Sequence, residues 1–120
     1  MTRTEFELLV VQALDSIPED LRLRLENVDI VVDDAPSKEQ LVGSGIEDGN
    51  ILLGLYEGLP LTDRYNYDMV LPDKITLFQQ PIESICQSDE DIIREVQVTV
   101  VHEVAHHFGI DDERLHQFGL

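Results

Sequence analysis

Two histidines and a glutamate are spaced as metal-assisted hydrolysis requires: His102, Glu103 and His106 form the pattern His-Glu-x-x-His. Residues four apart differ by about 40° around an α-helix, so both imidazoles would leave the same face, one turn apart. That spacing lets them bind one tetrahedral Zn²⁺. Glu103 lies about 100° from His102, which suits contact with an attacking water better than metal ligation. We therefore predict Glu103 as the general base that passes the proton to the leaving amine.

The residues after this pattern supply a candidate third ligand. Gly109 can end the helix and turn the chain back, which would bring Asp112 to the metal. The extended pattern His-Glu-x-x-His-x-x-Gly-x-x-Asp thus predicts His102, His106 and Asp112 as the metal ligands. Asp111 is adjacent and remains an alternative ligand, although the spacing favours Asp112.

Other polar side chains have weaker assignments. His107 is predicted on the flank of the helix away from the site, as a hydrogen-bonded core or supporting histidine. His116 is predicted at the surface, with donation to a ligand carboxylate as the alternative. Three tyrosines are candidates for stabilising an oxyanion, although packing is their more ordinary role: Tyr56, Tyr65 and Tyr67. Cys86 is predicted to be a small buried hydrophobe.

A long helix must carry the pattern. Ser88 is its predicted N-cap, residues 89–91 are acidic as a helix N-terminus favours, and Gly109 suits a C-terminal cap after Phe108. Apolar side chains cover a broad arc and predict burial of most of its circumference: Ile93, Val96, Val100, Val101, Val104, Ala105 and Phe108. The remaining arc is a polar strip: Glu95, Thr99, His102, Glu103 and His106. Such a strip on a buried helix needs partners, which a metal supplies.

Hydrophobic periodicity predicts the elements that position this helix. An N-terminal helix is predicted over residues 4–16, with a stripe of Phe6, Leu9, Val10, Ala13, Leu14 and Ile17. Three strands are predicted: Asn27–Asp33, Ile51–Tyr56 and Lys74–Phe78. Short helices are predicted at Pro18–Leu25, Pro81–Cys86 and Asp111–Phe118. Loops are predicted over Asp33–Asn50, with a short element near Glu39–Val42, and over residues 61–71.

Length and charge narrow the function. A chain of 120 residues suits one domain with a single core, predicted over residues 1–120. The net charge of −17 disfavours binding to nucleic acids and to anionic membranes. No apolar run approaches the roughly 20 residues of a membrane span, and the N-terminus lacks a basic region before its apolar stretch. Together with the single cysteine, which excludes an internal disulfide, these features predict a cytoplasmic protein.

The stretch HEVAHHFGIDDERL, with LLGLYEGLPLT and LPDKITLFQQPIE upstream, resembles the small bacterial zincin-like metallopeptidase family over Ile51–Leu120. The resemblance implies an α+β, zincin-like fold. In it, the helix carrying the pattern packs on a small mixed sheet whose edge strand runs past the zinc. It also implies zinc bound by His102, His106 and Asp112, with Glu103 as the catalytic base and a peptide or protein as substrate.

Two departures from the larger metzincins leave a second function open. Their third ligand is usually histidine, and a methionine-containing turn and a further subdomain follow their motif. Here the ligand position holds Asp112, eight residues follow it, and both methionines lie upstream. The alternative is therefore a catalytically weak zinc-binding module that recognises a peptide or partner protein. A purely structural zinc site is disfavoured, because three protein ligands leave a coordination position open. The predicted strand Ile51–Tyr56 is either an edge to which an extended peptide adds or an ordinary core strand.

Overall fold

The computed structural model describes residues 1–43, 51–58 and 73–108. The predicted helix Asp111–Phe118, the loop over residues 61–71 and the Gly109 cap lie outside these residues. The described part contains five helices and three strands, in this order: α1 (Arg3–Asp15), α2 (Glu19–Leu23), β1 (Val28–Asp33), α3 (Lys38–Gly43), β2 (Gly54–Glu57), β3 (Asp73–Phe78), α4 (Gln79–Ile85) and α5 (Asp89–Phe108). Helices and a small sheet thus occur together, as expected for an α+β protein.

Helix α1 begins at a side-chain cap and ends at Asp15, one residue before the predicted end. The hydroxyl oxygen of Thr2 accepts a hydrogen bond from the Glu5 N–H at 3.1 Å, which satisfies one of the free donors of the first turn. The apolar stripe is buried at Phe6, Leu9, Val10, Ala13 and Ile17, and Leu14 is partly buried against it. This stripe packs α1 against α5.

The described strands form one mixed sheet in the order β1-β3-β2. β3 pairs in parallel with β1 and antiparallel with β2. Ile75 and Leu77 of β3 are fully buried in the core shared with the helices. In β1, half-buried residues alternate with exposed ones, as period-2 side-chain alternation predicts for a strand with one covered face.

Strand β2 is shorter than the predicted strand Ile51–Tyr56. Its pairing with β3 extends back to Leu53, whose carbonyl accepts from the Phe78 N–H at 2.9 Å. β3 ends at Phe78 because α4 begins at the next residue, so the positions before Leu53 have no strand opposite them. Among the described strands β2 stands at the end of the order, which agrees with the edge-strand alternative.

Helix α5 has 20 residues and is therefore about 30 Å long. Ser88 caps it as predicted, since its hydroxyl accepts from the Asp91 N–H at 3.2 Å. Its apolar arc is buried against α1 and the sheet: Ile92, Val96, Val100, Val101, Val104 and Ala105. No helix within the described ranges is both long enough and apolar enough to cross a membrane.

Arg3 ties the start of α1 to one end of the sheet. Its guanidinium donates to the Val32 carbonyl at 2.8 Å and to an Asp34 carboxylate oxygen at 2.6 Å. It also donates to the Gln79 side-chain carbonyl at 3.2 Å. Gln79 is buried, and its amide nitrogen donates to the Met1 carbonyl. The buried amide is thereby satisfied on both sides, as a polar group in a core must be.

Candidate metal centre

His102 and His106 lie one turn apart near the C-terminal end of α5. Their ring centroids are 6.3 Å apart, and the ring planes are nearly perpendicular at 80°. His102 is half-buried and His106 is exposed. Because residues four apart share a helix face, both rings can approach a single ion beside that face. The helix thus brings the two predicted histidine ligands together, and their role as ligands stays a prediction.

The predicted third ligand, Asp112, lies outside the described residues, as do Asp111 and His116. Within residues 1–43, 51–58 and 73–108, no three His, Cys, Asp or Glu side chains are grouped so as to hold a metal ion. The histidine pair fits zinc chemically, because imidazole nitrogen is among its preferred donors. A zinc ion on this face therefore requires at least one further ligand from the rest of the chain.

Glu103 is half-buried between the two histidine positions. Burial raises the pKa of its carboxyl group, while His106, the Tyr56 backbone N–H and His102 each oppose that rise. The carboxylate thus accepts a hydrogen bond from the main chain of β2. The predicted base is fixed against a strand and is not a freely solvated helix side chain.

The register of β2 explains why Tyr56 supplies that N–H. Backbone hydrogen bonds alternate along an antiparallel strand, so every second residue faces its partner strand. The Leu53 carbonyl accepts from the Phe78 N–H of β3. Leu55 is two residues further along β2, so its backbone groups also point toward β3. The backbone groups of Tyr56 therefore point to the outer edge, where Glu103 accepts its N–H.

Alternate residues of β2 meet successive turns of α5, an arrangement we term the strand–helix ladder. A Cβ atom built on Gly54 would stand 2.6 Å from Thr99 Cγ2. The next alternate residue, Tyr56, donates to Glu103. Two strand residues span about 6.6 Å and four helix residues about 6.0 Å, so the two repeats nearly match. The close approach at Gly54 therefore fixes the position of Tyr56 along α5, opposite Glu103.

The strand–helix ladder includes a further contact one helical turn beyond Glu103, where His107 meets the Tyr56 side chain. The Tyr56 ring stacks on the His107 ring with centroids 4.1 Å apart and an angle of 16°. The Tyr56 hydroxyl donates to Asp73 Oδ2 at 2.7 Å, and His107 Nε2 lies 3.9 Å from the same oxygen. This bond engages the hydroxyl with Asp73 and favours the packing alternative for Tyr56 over an oxyanion role.

The predicted location of His107 was wrong. The sequence interpretation put His107 on the flank away from the site, as a hydrogen-bonded core or supporting histidine. Its side chain is 41% exposed and lines the same cleft as Glu103 and His106. The physical reason is that His107 follows Glu103 by four residues, so the two share a helix face. That four-residue spacing was the signal in the sequence that could have located His107.

The ladder borders an open cleft of about 520 Å³. Leu52, Leu55 and Tyr56 line one side, and Glu103, His106 and His107 line the other. An apolar strand edge thus faces a strip of ionisable side chains. The cleft therefore offers apolar contacts on the strand side and ionisable groups on the helix side.

Comparison with known proteins identifies the family of this chain. The sequence model described as zincin-like metallopeptidase matches residues 25–120. No curated protein sequence matches the chain. The fold is similar to that of a conserved hypothetical protein from Thermus thermophilus, with a TM-score of 0.57 and 24% identity over 90% of this chain and 94% of that one. The match over residues 25–120 confirms the predicted resemblance: the chain belongs to the zincin-like metallopeptidase family.

Proposed function

We propose that the protein is a zinc-dependent peptidase that hydrolyses a peptide bond in the cleft beside β2. The observation that carries the proposal is the position of Glu103. Its carboxylate lies beside the helix face that carries two histidines, and it accepts a hydrogen bond from the outward edge of a strand. A base, two zinc donors and a strand edge at one place are the components that zinc-assisted peptide hydrolysis needs.

The residue roles follow from this arrangement. His102, His106 and Asp112 hold the zinc, which when bound acts as a Lewis acid on the scissile carbonyl. Glu103 accepts a proton from the attacking water and delivers it to the leaving amine. Its hydrogen bond from Tyr56 fixes the carboxylate before substrate arrives, so no ordering of the base is needed during the reaction.

We propose a peptide or protein as the substrate. An extended peptide can lie along the outer edge of β2, where the backbone groups of Gly54 point away from β3. The proposal includes one domain over residues 1–120 that acts in the cytoplasm. The net charge of −17 supports partners other than nucleic acids and anionic membranes.

Digestion of a peptide library by the zinc-loaded protein tests the proposal. Glu103→Gln is the matched variant, because it keeps the side-chain shape and the metal ligands but removes the base. We expect turnover by wild type and a loss of about 10²–10⁴-fold in the variant. Equal turnover by both proteins would exclude Glu103 as the base. Bound zinc and peptide binding without turnover by wild type would instead establish the non-catalytic recognition module.

A further inference from the structure

Three side chains from three different elements meet beside Glu103. Tyr56 comes from β2, Asp73 from the first position of β3, and His107 from the last turn of α5. The tyrosine hydroxyl donates to Asp73 at 2.7 Å, and the tyrosine ring lies on the His107 ring at 4.1 Å. Asp73 has a side chain only 16% exposed. The Asp73–Tyr56–His107 cluster is thus built into the fold.

The edge strand needs such a support. β2 has four residues and, among the described strands, pairs on one side alone. A short strand that is hydrogen-bonded on one side only opens more readily than a central strand. Tyr56 links the strand to the site in two ways. Its backbone N–H donates to Glu103, and its side chain is held by Asp73 and His107.

We propose that Asp73 and His107 are positioning residues that hold Tyr56 so that its backbone N–H stays on the Glu103 carboxylate. Asp73 fixes the tyrosine hydroxyl from the sheet side, and His107 fixes its ring from the helix side. With both ends of the side chain held, the strand and the base cannot move apart without breaking the stack or the hydroxyl bond. The inference rests on the proposed function for its catalytic consequence, but not for the contact itself.

Amide hydrogen exchange in the full-length protein tests the contact without any activity measurement. The Tyr56 amide reports the bond to Glu103, and the Leu55 amide, which faces β3, reports the pairing of the strand. We expect His107→Ala and Asp73→Ala each to speed Tyr56 exchange about 10-fold or more, as Glu103→Ala should, because a charge-assisted bond is lost. Leu55 exchange should stay within about 2-fold, since Thr76, its pairing residue in β3, is unchanged in every variant.

Conservative variants separate positioning from general stability. His107→Phe keeps a ring for the stack and Asp73→Asn keeps an acceptor for the hydroxyl, so both should retain slow Tyr56 exchange. Unchanged Tyr56 exchange in the alanine variants, or equal acceleration at Leu55 and Tyr56, would overturn the proposal. Acceleration in the conservative variants equal to that in the alanine variants would also overturn it.

Kinetics on the zinc-loaded protein test the catalytic consequence separately. A misplaced base should lower kcat of His107→Ala by about 10-fold or more with KM little changed, and His107→Phe should recover most of it. An unchanged kcat alongside faster Tyr56 exchange would show that the contact does not position the base. Absence of turnover by wild type would defeat the peptidase proposal, while the exchange result would still decide whether the cluster holds Tyr56.

Discussion

Gly54 of β2 lies directly against Thr99 of α5. A Cβ atom at position 54 would stand 2.6 Å from Thr99 Cγ2 and 3.2 Å from the Thr76 carbonyl oxygen. Real Cβ atoms do not approach other heavy atoms at the first of these distances, so any larger residue must displace the Thr99 side chain, the strand or the helix. The absence of a side chain at Gly54 is therefore what lets the edge strand reach the helix that carries Glu103.

Replacing Gly54 by alanine should destabilise the protein by about 1–3 kcal/mol, the usual cost of overpacking a close contact. Gly43→Ala is the matched control, because a Cβ there meets nothing within 4 Å. That control should be neutral or stabilising by up to about 1 kcal/mol. Urea denaturation measures both. In Gly54→Ala/Thr99→Ser the clashing methyl group is absent, and part of the stability should return. Equal stability of the two alanine variants would disprove the close contact.

Truncating a buried side chain of α1 should lower the free energy of unfolding far more than truncating an exposed one. Phe6 is 0% exposed, whereas Leu8, two residues later, is 60% exposed. Phe6→Ala leaves a cavity between α1 and α5 and should cost about 3–5 kcal/mol. Leu8→Ala should change the unfolding free energy by less than about 0.5 kcal/mol. Similar midpoints in urea for both variants would contradict the assigned face of the helix.

Metal analysis after dialysis tests the ligand set. Wild type should hold about one zinc per chain, and His102→Ala and His106→Ala should each lose it. His107→Ala is the matched control, since it removes a neighbouring histidine of the same helix and should retain the metal. Full zinc retention by both ligand variants would end the zinc-site proposal.

The same metal analysis shows which of the two adjacent aspartates is the third ligand. Asp112→Ala should weaken zinc binding by more than the roughly 10–100-fold typical of a supporting residue, while Asp111→Ala should not. The opposite result would transfer the ligand role to Asp111 and leave the two histidines unaffected.

Stability of the metal-free protein should depend on pH through Glu103. Burial raises the pKa of its carboxyl group in the folded state. As pH rises from the ordinary glutamate pKa toward the raised one, the unfolded chain releases its proton first, and the folded state loses stability. The penalty persists above that window. Glu103→Gln removes it and should melt at a higher temperature than wild type near pH 7.

At about pH 3 the two proteins should melt together, because both carry a neutral side chain at position 103. Glu7→Gln controls for the loss of one negative charge from a chain of net charge −17 and replaces an exposed glutamate of α1. An equal rise in Glu7→Gln would assign the effect to overall charge repulsion. No rise in Glu103→Gln would contradict the raised pKa.

Local patterns predicted the elements of the fold well. The 3.6-residue stripe located α1, the β-branched run located β1, and Ser88 located the start of α5, because caps and periodicity are properties of neighbouring residues. The length of β2 was missed because it depends on where β3 turns into α4. Nothing in the residues Ile51–Leu53 encodes that event.

The histidine spacing likewise predicted one shared face for His102 and His106, but not what surrounds it. The Tyr56 hydroxyl bonds to Asp73, 17 residues away, and Gln79 reaches a carbonyl 78 residues away. Such contacts arise only when distant elements pack. The hydrogen-bond partner of Glu103 was therefore outside the reach of sequence reasoning, although the residue itself was not.

The attachment of Arg3 also bears on how copies of this chain avoid one another. Among the described strands, β1 forms the edge of the sheet opposite β2. An exposed edge strand can pair with a strand of another chain. The Arg3 guanidinium caps the Val32 carbonyl, and the outward residues Asp29 and Asp33 add negative charge along the same strand. A second strand approaching here would meet an occupied acceptor and like charges. We therefore expect the N-terminal helix to oppose strand pairing at this edge, in addition to forming part of the core.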